Sequence, residues 1–341
     1  MSASVQLGLR IPPAAPATTI AQAITRAEQL GWDTVWIPDS QLLWRDPFVV
    51  LAVAATHTSR IRLGIAVTNF RTRHLTVLAS ALRSCAELAP GRVLAAVGAG
   101  NSSVRPIGLR PTPTRQLARD FTRLRHLLSG REVDFGARPM LHLRDAPEEV
   151  PLYLAATGPR NLELAGQIAD GALIQVGTTV EAVGRAIMTV SSGAMAADRE
   201  PGNIPIVVTA PYLLTDDLGR DAALLKPHAV TMARDGASEA LVKAGVTVMA
   251  PPSAGATTVY PDLLHAEDQT AAVRACRRYV SDEDAVRFAE RFAFAGGPNE
   301  VRERITGIHA AGVTEVMLQH LGSYGLPHDL ITQANALRPN V

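Results

Sequence analysis

Residues 61–100 read IRLGIAVTNFRTRHLTVLASALRSCAELAPGRVLAAVGAG, and their pattern sets the fold class. Two apolar runs, Ile61–Asn69 and Arg92–Gly100, flank a helical pattern. In it Val77, Leu78, Ala81, Leu82, Cys85 and Leu88 recur every three or four residues. Pro90-Gly91 stops that pattern. The order is strand, helix, strand. Each strand is apolar almost throughout, as it must be when both faces of a parallel sheet are covered. Each ends in small or polar residues, Thr68-Asn69 and Gly98-Ala99-Gly100-Asn101. The carboxyl ends of parallel strands carry the chemistry in such folds, so the site is expected there.

The same phrase recurs on either side. Val5–Ile11 is a short apolar run. Thr19, with Gln22 three residues on, predicts a capping box. An apolar stripe of Ile20, Ala23, Ile24, Ala27 and Leu30 follows, with Gly31 closing the helix. Thr34–Pro38 is the next strand. Pro47 opens PFVVLAVAA, apolar on most sides and therefore suited to a core or an oligomer interface. Asn161–Ala169 leads through Gly171 to Ala172–Val176, and Val301–Ala311 leads through Gly312 to Val316–Gln319. Strand starts at Val5, Thr34, Ile61, Arg92, Leu152, Ala172, Ile204 and Val313 favour a closed, TIM-like (β/α)8 barrel in one domain over an open doubly wound sheet. Two stretches break the rhythm. Residues 131–147 read as a hairpin or loop before the fifth strand. Residues 236–298 read as an insertion before the last strand, helical from Leu263 to Phe294, that can lid the mouth.

Composition narrows the function. Of 341 residues, 47% are hydrophobic and 19% charged, which suits a large core. A net charge of +1 argues against a non-specific nucleic-acid binder. No apolar run approaches the roughly 18 residues of a membrane span, and no signal peptide is recognisable at the N-terminus. Cys85 and Cys276, both in helical patterns, read as buried thiols of a reducing compartment, so a cytoplasmic protein is expected. Gly-x-Gly-x-x-Gly, Walker, Cys-x-x-Cys, His-x-x-x-His and Gly-x-Ser-x-Gly patterns are all missing. Nicotinamide, P-loop, metal and serine-hydrolase chemistries therefore have little support.

The candidates are polar residues at strand ends. Asp39 follows VWIP directly, as a loop cap or as a carboxylate facing a ligand. Thr68 and Asn69 either cap a loop or bond a planar heterocycle. Gly98, Gly100 and Asn101 form a plain turn or a place where a ligand meets the backbone. Thr157-Gly158-Pro159-Arg160-Asn161 joins a strand to a helix. The amides at such a helix start suit a phosphate, although proline there is also ordinary capping. Trp44, with Arg45 in the loop after the second strand, is either packing or a substrate wall.

Together these residues resemble the bacterial luciferase-like superfamily, in particular its branch that uses the deazaflavin coenzyme F420, typified by methylenetetrahydromethanopterin reductase. The phrases that carry the resemblance are AEQLGWDTVWIPDS (27–40), RIRLGIAVTNFRTRH (60–74), ELAPGRVLAAVGAGNSS (87–103) and ATGPRNLELAGQIADGALI (156–174). The region after Gly236 matches poorly. The resemblance implies a luciferase-like barrel with insertions, F420 at the strand carboxyl ends, and hydride transfer to or from a small substrate. It implies that Asp39, Thr68, Asn69, Gly98, Gly100 and Asn101 border the ring. It implies that Thr157-Gly158-Pro159 receives the coenzyme phosphate, with Ala156 and Arg160 also at the coenzyme. Many members carry a non-prolyl cis bond in a third-strand bulge behind the ring, and the matching bond is Ala66–Val67. Related F420-dependent dehydrogenases of glucose 6-phosphate have a histidine where this chain has Ser40, and a glutamate where it has Asn101. Sugar-phosphate oxidation is therefore not expected. Reduction of an activated C=C or C=N bond is, with Asp39, His74 and His320 as candidates for handling the proton and Ser40 and Trp44 toward the substrate. The alternatives are an FMN-dependent monooxygenase and a non-catalytic flavin-binding relative. Relatives commonly pair through helices beside the second and third strands, so a homodimer is expected, with no metal, nucleic acid or membrane.

Overall fold

Apolar runs separated by helical patterns pair side by side in parallel. The computed structural model describes residues 4–136, 139–146, 150–249 and 259–339. The first part runs β1 (Gln6–Arg10), α1 (Ala17–Gln29), β2 (Thr34–Ile37), α2 (Pro47–Ala55), β3 (Arg62–Asn69), α3 (Leu75–Leu88), β4 (Val93–Gly98) and α4 (Thr114–Leu128). Next come β5 (Leu152–Ala156), α5 (Pro159–Ile168), β6 (Gly171–Ile174), α6 (Val180–Met195) and β7 (Ile206–Leu214). Five helices follow: α7 (Leu218–Asp221), α8 (Lys226–Met232), α9 (Ser238–Lys243), α10 (Gln269–Cys276) and α11 (Asp282–Phe292). β8 (Phe294–Gly296), α12 (Pro298–Ala310) and β9 (Glu315–His320) complete the sheet. β1 through β7 pair in order, β7 pairs β9, and β9 pairs β1, every ladder parallel. These eight strands close the expected ring. β8 is a ninth, laid in parallel on the end of β7 at Tyr212–Leu214.

Two local expectations are corrected. The helical tract from Leu263 to Phe294 is two helices and a strand. Ser281 caps α11, its hydroxyl accepting from Asp284 N at 2.9 Å, so a new helix begins where a continuous one was expected. That helix ends at Phe292, and Phe294 is buried in β8 instead. At α1 there is no capping box on Thr19. The helix starts two residues earlier, at Ala17, with Pro16 as its cap and the Pro16 carbonyl accepting from Ile20 N at 3.0 Å. The fixed φ of proline pre-sets that entry, so no side-chain cap forms.

Side chains sort by alternation into two layers. Val35, Ile37, Leu63, Ile65, Ala95, Val97, Leu152 and Leu154 pack outward against the helices. Trp36, Ala66, Leu94, Ala96, Tyr153, Leu173, Val207 and Met317 fill the lumen. The Trp36 ring crosses the lumen because Gly8 and Gly64 have no side chains; a methyl on either would run into it. At the amino end of the barrel Glu315 closes the floor, accepting from Trp36 Nε1 at 2.6 Å, Thr34 Oγ1 at 3.2 Å and Arg62 at 2.5 Å. Burial raises the pKa of the Glu315 carboxyl, against the pull of Arg62, Trp36 and Thr34. The segment between β7 and β9 has a separate core of its own, with Leu225, Val230, Leu241, Leu263, Cys276 and Phe288 at its centre. Of residues 236–298, those at 250–258 lie outside the described residues. Val133 and Leu141 form one antiparallel bridge within 131–147.

Candidate active site

Because all the ring strands run one way, the residues that follow them meet at one mouth. Asp39 follows β2, Asn69 ends β3, Asn101 follows β4 and Gly158 follows β5. Asp39 is 4% exposed. Its carboxylate accepts from Thr68 Oγ1 at 2.7 Å and from Arg73 Nε at 2.7 Å and Nη2 at 3.1 Å. Arg73 also reaches Asp46, the cap of α2, at 2.6 Å. Burial alone would lower the pKa of Arg73; its bonds to Asp39 and Asp46 outweigh this and raise it. Asp39 is therefore a fixed anchor tying β2, β3 and α2 together, and Arg73 is a site residue that strand-end reasoning passed over. Its signal was the RTRH phrase itself.

β3 holds a bulge. Ala66 pairs Ala96 and Thr68 pairs Val97, leaving Val67 as the extra residue, and the Ala66–Val67 bond is cis. Ala66 and Val67 consequently both pack toward the lumen. Asn69 is 1% exposed and spends its amide on the loop. Its Oδ1 accepts from Arg71 N at 2.9 Å and Thr72 N at 3.0 Å, and its Nδ2 donates to Ser103 Oγ at 3.0 Å. Gln41 Nε2 reaches the Ser103 carbonyl at 2.9 Å. A Cβ on Gly98 would sit 2.8 Å from Val67 Cγ1 and 3.3 Å from Ala155 Cβ. Val67 and Ala155, both partly exposed, thus close in on the buried Gly98 and form with it a shallow apolar shelf that suits a flat ring.

Beyond β5, Gly158 caps α5 without a side-chain bond and Pro159 takes the first helical position. Nothing lies within 4 Å of where a Gly158 side chain would start. Ala156 is buried, while Thr157 and Arg160 are exposed. At the start of this ten-residue helix Pro159 has no N–H, and the Asn161 and Leu162 amides bond the Gly158 carbonyl at 3.1 and 3.0 Å, which leaves the Arg160 amide and the helix dipole to suit an anion. Asn101 is exposed, accepting from Arg105 Nε at 2.6 Å and donating to Asp235, so it links the β4 loop to the segment after β7.

The remaining candidates lie apart. His74 is exposed and caps α3, its Nδ1 2.7 Å from Thr76 Oγ1, with Phe135 beside the ring. His320 is half-buried at the end of β9, its Nδ1 accepting from Gly322 N at 3.0 Å. Ser40 is 3% exposed and its hydroxyl has no partner among the described residues. Trp44 is buried, donating to the Ser323 carbonyl at 2.7 Å. Across the lumen from the shelf, Gln319 donates to Thr209 Oγ1 at 2.6 Å. Among the described residues, no group of three or more His, Cys, Asp or Glu side chains is placed to hold a metal ion. Among them too, no helix is long and apolar enough to cross a membrane.

Known proteins resemble this chain in sequence and fold. The chain is 27% identical over 319 residues to 5,10-methylenetetrahydromethanopterin reductase of Methanolobus tindarius, covering 91% of this chain and 92% of the relative. It is 32% identical over 214 residues, 57% of this chain and 63% of the relative, to an F420-dependent glucose-6-phosphate dehydrogenase of Beutenbergia cavernae. Among solved structures, the coenzyme F420 dependent tetrahydromethanopterin reductase from Methanopyrus kandleri superposes with a TM-score of 0.76 at 22% identity, covering 99% of both chains. At that identity the likeness shows a shared fold. The profile described as luciferase-like monooxygenase matches residues 1–315, and the chain belongs to that family.

Proposed function

We propose that this chain is an F420-dependent oxidoreductase that reduces an activated C=C or C=N bond of a small organic substrate. The observation that carries the proposal is the shelf of Val67, Gly98 and Ala155, rimmed by the locked Asp39–Thr68–Arg73 cluster, in a chain whose relatives are named as F420-dependent enzymes. The shelf suits a flat deazaflavin only with glycine at 98, because a side chain there would run into Val67 Cγ1 at 2.8 Å and displace the shelf's own wall. When bound, the coenzyme supplies or accepts a hydride at a ring carbon, and the protein contributes orientation and electrostatics. Ala66, Val67, Thr68 and Asn69 lie along the ring, Gly98, Gly100 and Asn101 beside it, and Ala156 to Arg160 around the phosphate. Asp39 and Arg73 act as positioning residues, holding the β3 tip against β2. Ser40, whose buried hydroxyl has no partner among the described residues, faces the substrate, and His320 is the better placed of the two histidines to handle a proton, because it is half-buried at a strand end while His74 is exposed.

Titration of the purified protein with F420 and with FMN, followed by the absorbance of each, tests the assignment. Saturable binding of F420 at least tenfold tighter than FMN is expected; the reverse order would make this a flavin monooxygenase. Gly158→Val locates the phosphate. Because open space surrounds that position, the variant melts like the wild type. Its branched side chain instead stands beside the Arg160 amide at the helix start, and F420 affinity falls by about tenfold, the worth of one charge-assisted hydrogen bond. An unchanged affinity would place the phosphate elsewhere.

The protein pairs as a homodimer through α2 and α3. Phe48, Val50 and Leu51 face inward, but Val49 on α2 is 57% exposed and Val77 on α3 is 52% exposed, with Leu42 nearby in sequence at 67%. Exposed apolar side chains on two adjoining helices favour a covered face. Light scattering at micromolar concentration gives twice the chain mass, and Val49→Glu with Val77→Glu returns it to one. A cytoplasmic setting fits Cys85 and Cys276, free and buried, each thiol pushed up to about 11 by burial.

A further inference from the structure

The half of the mouth away from the shelf holds a cation that has no carboxylate partner among the described residues. Along β1, Leu7 and Leu9 face the helices, while Gly8 faces Trp36 and Glu315 in the lumen. Alternation therefore turns Arg10 into the lumen, nearer the mouth than Gly8, with Trp36 and Gln319 as its strand neighbours. Its guanidinium lies over the Trp44 ring, Cζ 5.1 Å from the centroid. Other partly or fully buried cations are engaged: Arg62 has Glu315 at 2.5 Å, Arg73 has Asp39 at 2.7 Å and Lys226 has Asp282 at 2.8 Å, while Arg92, Arg199 and Arg304 donate to backbone carbonyls. Arg10 has no carboxylate among the described residues, and residues 250–258, APPSAGATT, contain no acidic side chain. Burial, with nothing to offset it, lowers the Arg10 pKa to about 10.

The walls around Arg10 are built, and the carboxylate at this corner, Asp262, is engaged elsewhere. Trp44 is pinned by the Ser323 carbonyl, and the His265 ring meets it edge-on at 5.4 Å. Asp262 is close to this corner, but its carboxylate is spent on His265, 3.0 Å from Nδ1, and on the amides of Leu264 and His265. His228 on α8 brings a buried Nδ1 that has no partner among the described residues. Burial, with His265 and Arg10 adding to it, pushes the His228 pKa down to about 3, so the ring is neutral.

We propose that Arg10 is the anion-binding residue of the substrate half, and that the substrate is an organic carboxylate or phosphate ester whose oxyanion docks on its guanidinium. A guanidinium stacked on an aromatic face keeps its in-plane N–H fork free, and that fork matches a carboxylate or phosphate in two parallel bonds. An enclosed charge without a counter-charge is destabilising, and a bound oxyanion removes that penalty. The shelf then takes the ring while Arg10 fixes one end of the substrate, so that the reducible bond lies between them. The proposal rests on the F420 assignment only for which bond reacts. Anion binding is measured without coenzyme.

The test follows tryptophan fluorescence of the full chain titrated with potassium crotonate and with glycerol 3-phosphate, ionic strength being matched with chloride. At least one anion saturates. Its affinity falls tenfold or more in Arg10→Met and is partly kept in Arg10→Lys, which retains the charge without the fork. Arg10→Met leaves no carboxylate stranded and keeps the apolar stem, so it folds; Arg10→Gln serves if it does not. Preference for crotonate assigns a carboxylate substrate, and preference for glycerol 3-phosphate a phosphate ester. If neither anion binds beyond the chloride control, or the folded Arg10 variant binds like the wild type, the proposal is wrong. A parallel F420 titration separates the two ideas. Anion binding without F420 binding removes the coenzyme assignment alone, and F420 binding without anion binding removes this one alone.

Discussion

Asp39→Ala lowers the free energy of unfolding by about 3 kcal/mol and abolishes measurable F420 binding. The carboxylate is enclosed and takes three hydrogen bonds, two of them from Arg73. Deleting one partner of a buried pair typically costs about 3–5 kcal/mol, because the other is left desolvated. The lower end applies here: Arg73 keeps Asp46, while the Thr68 hydroxyl, fully buried, loses its acceptor. Denaturant unfolding at constant slope measures the loss. Arg73→Met added to Asp39→Ala removes the stranded charge and restores part of the stability. It does not restore coenzyme binding, because the β3 tip is still untied from β2. A double variant that recovers both would show that Asp39 is a stabilising residue and nothing more.

Glu315→Ala is expected to be as costly to stability, about 3–5 kcal/mol, with the opposite functional outcome. Its carboxylate is the acceptor for Trp36, Thr34 and Arg62 at the amino end of the barrel. Alanine leaves the Trp36 and Thr34 donors unsatisfied and opens a void beneath the Trp36 ring. The folded fraction still binds F420 with wild-type affinity, since the coenzyme half stands at the other end of the strands. Denaturation and an F420 titration below the melting range check both parts. A large loss of affinity with little loss of stability would mean that the barrel floor is coupled to the mouth.

The ring was legible because its strands are local statements: an apolar run, small residues at its end, a helix and a glycine. β8 was not, because Phe294, Ala295 and Gly296 are too short for any period and are held only by the end of β7. The cap of α1 was misplaced because Thr19 and Gln22 have the right spacing inside a helix that a proline had already begun. In the site, the phrases around Asp39, Thr68 and Gly98 were readable as contiguous text. Arg10 and His228 were not, because one lies on the first strand and the other in a helix more than two hundred residues later. Only closure of the barrel puts them near each other. Arg73 sat inside a quoted phrase, and its role appeared only once its guanidinium was seen to span two carboxylates.

The separate core beneath the segment between β7 and β9 has a consequence for how such an enzyme changes its diet. The proposed coenzyme half is written by strands two to five and buttressed by the main core. Much of the opposing wall, His228 and His265, hangs from a module that packs on itself. Sequence drift inside that module can recarve one side of the cavity without disturbing the ring seat, so new chemistry partners are reachable by small steps that never pass through an enzyme unable to hold its cofactor. For laboratory evolution, a library confined to residues 218–292 explores substrates, while one spread over the β2 to β5 tips mostly samples dead proteins.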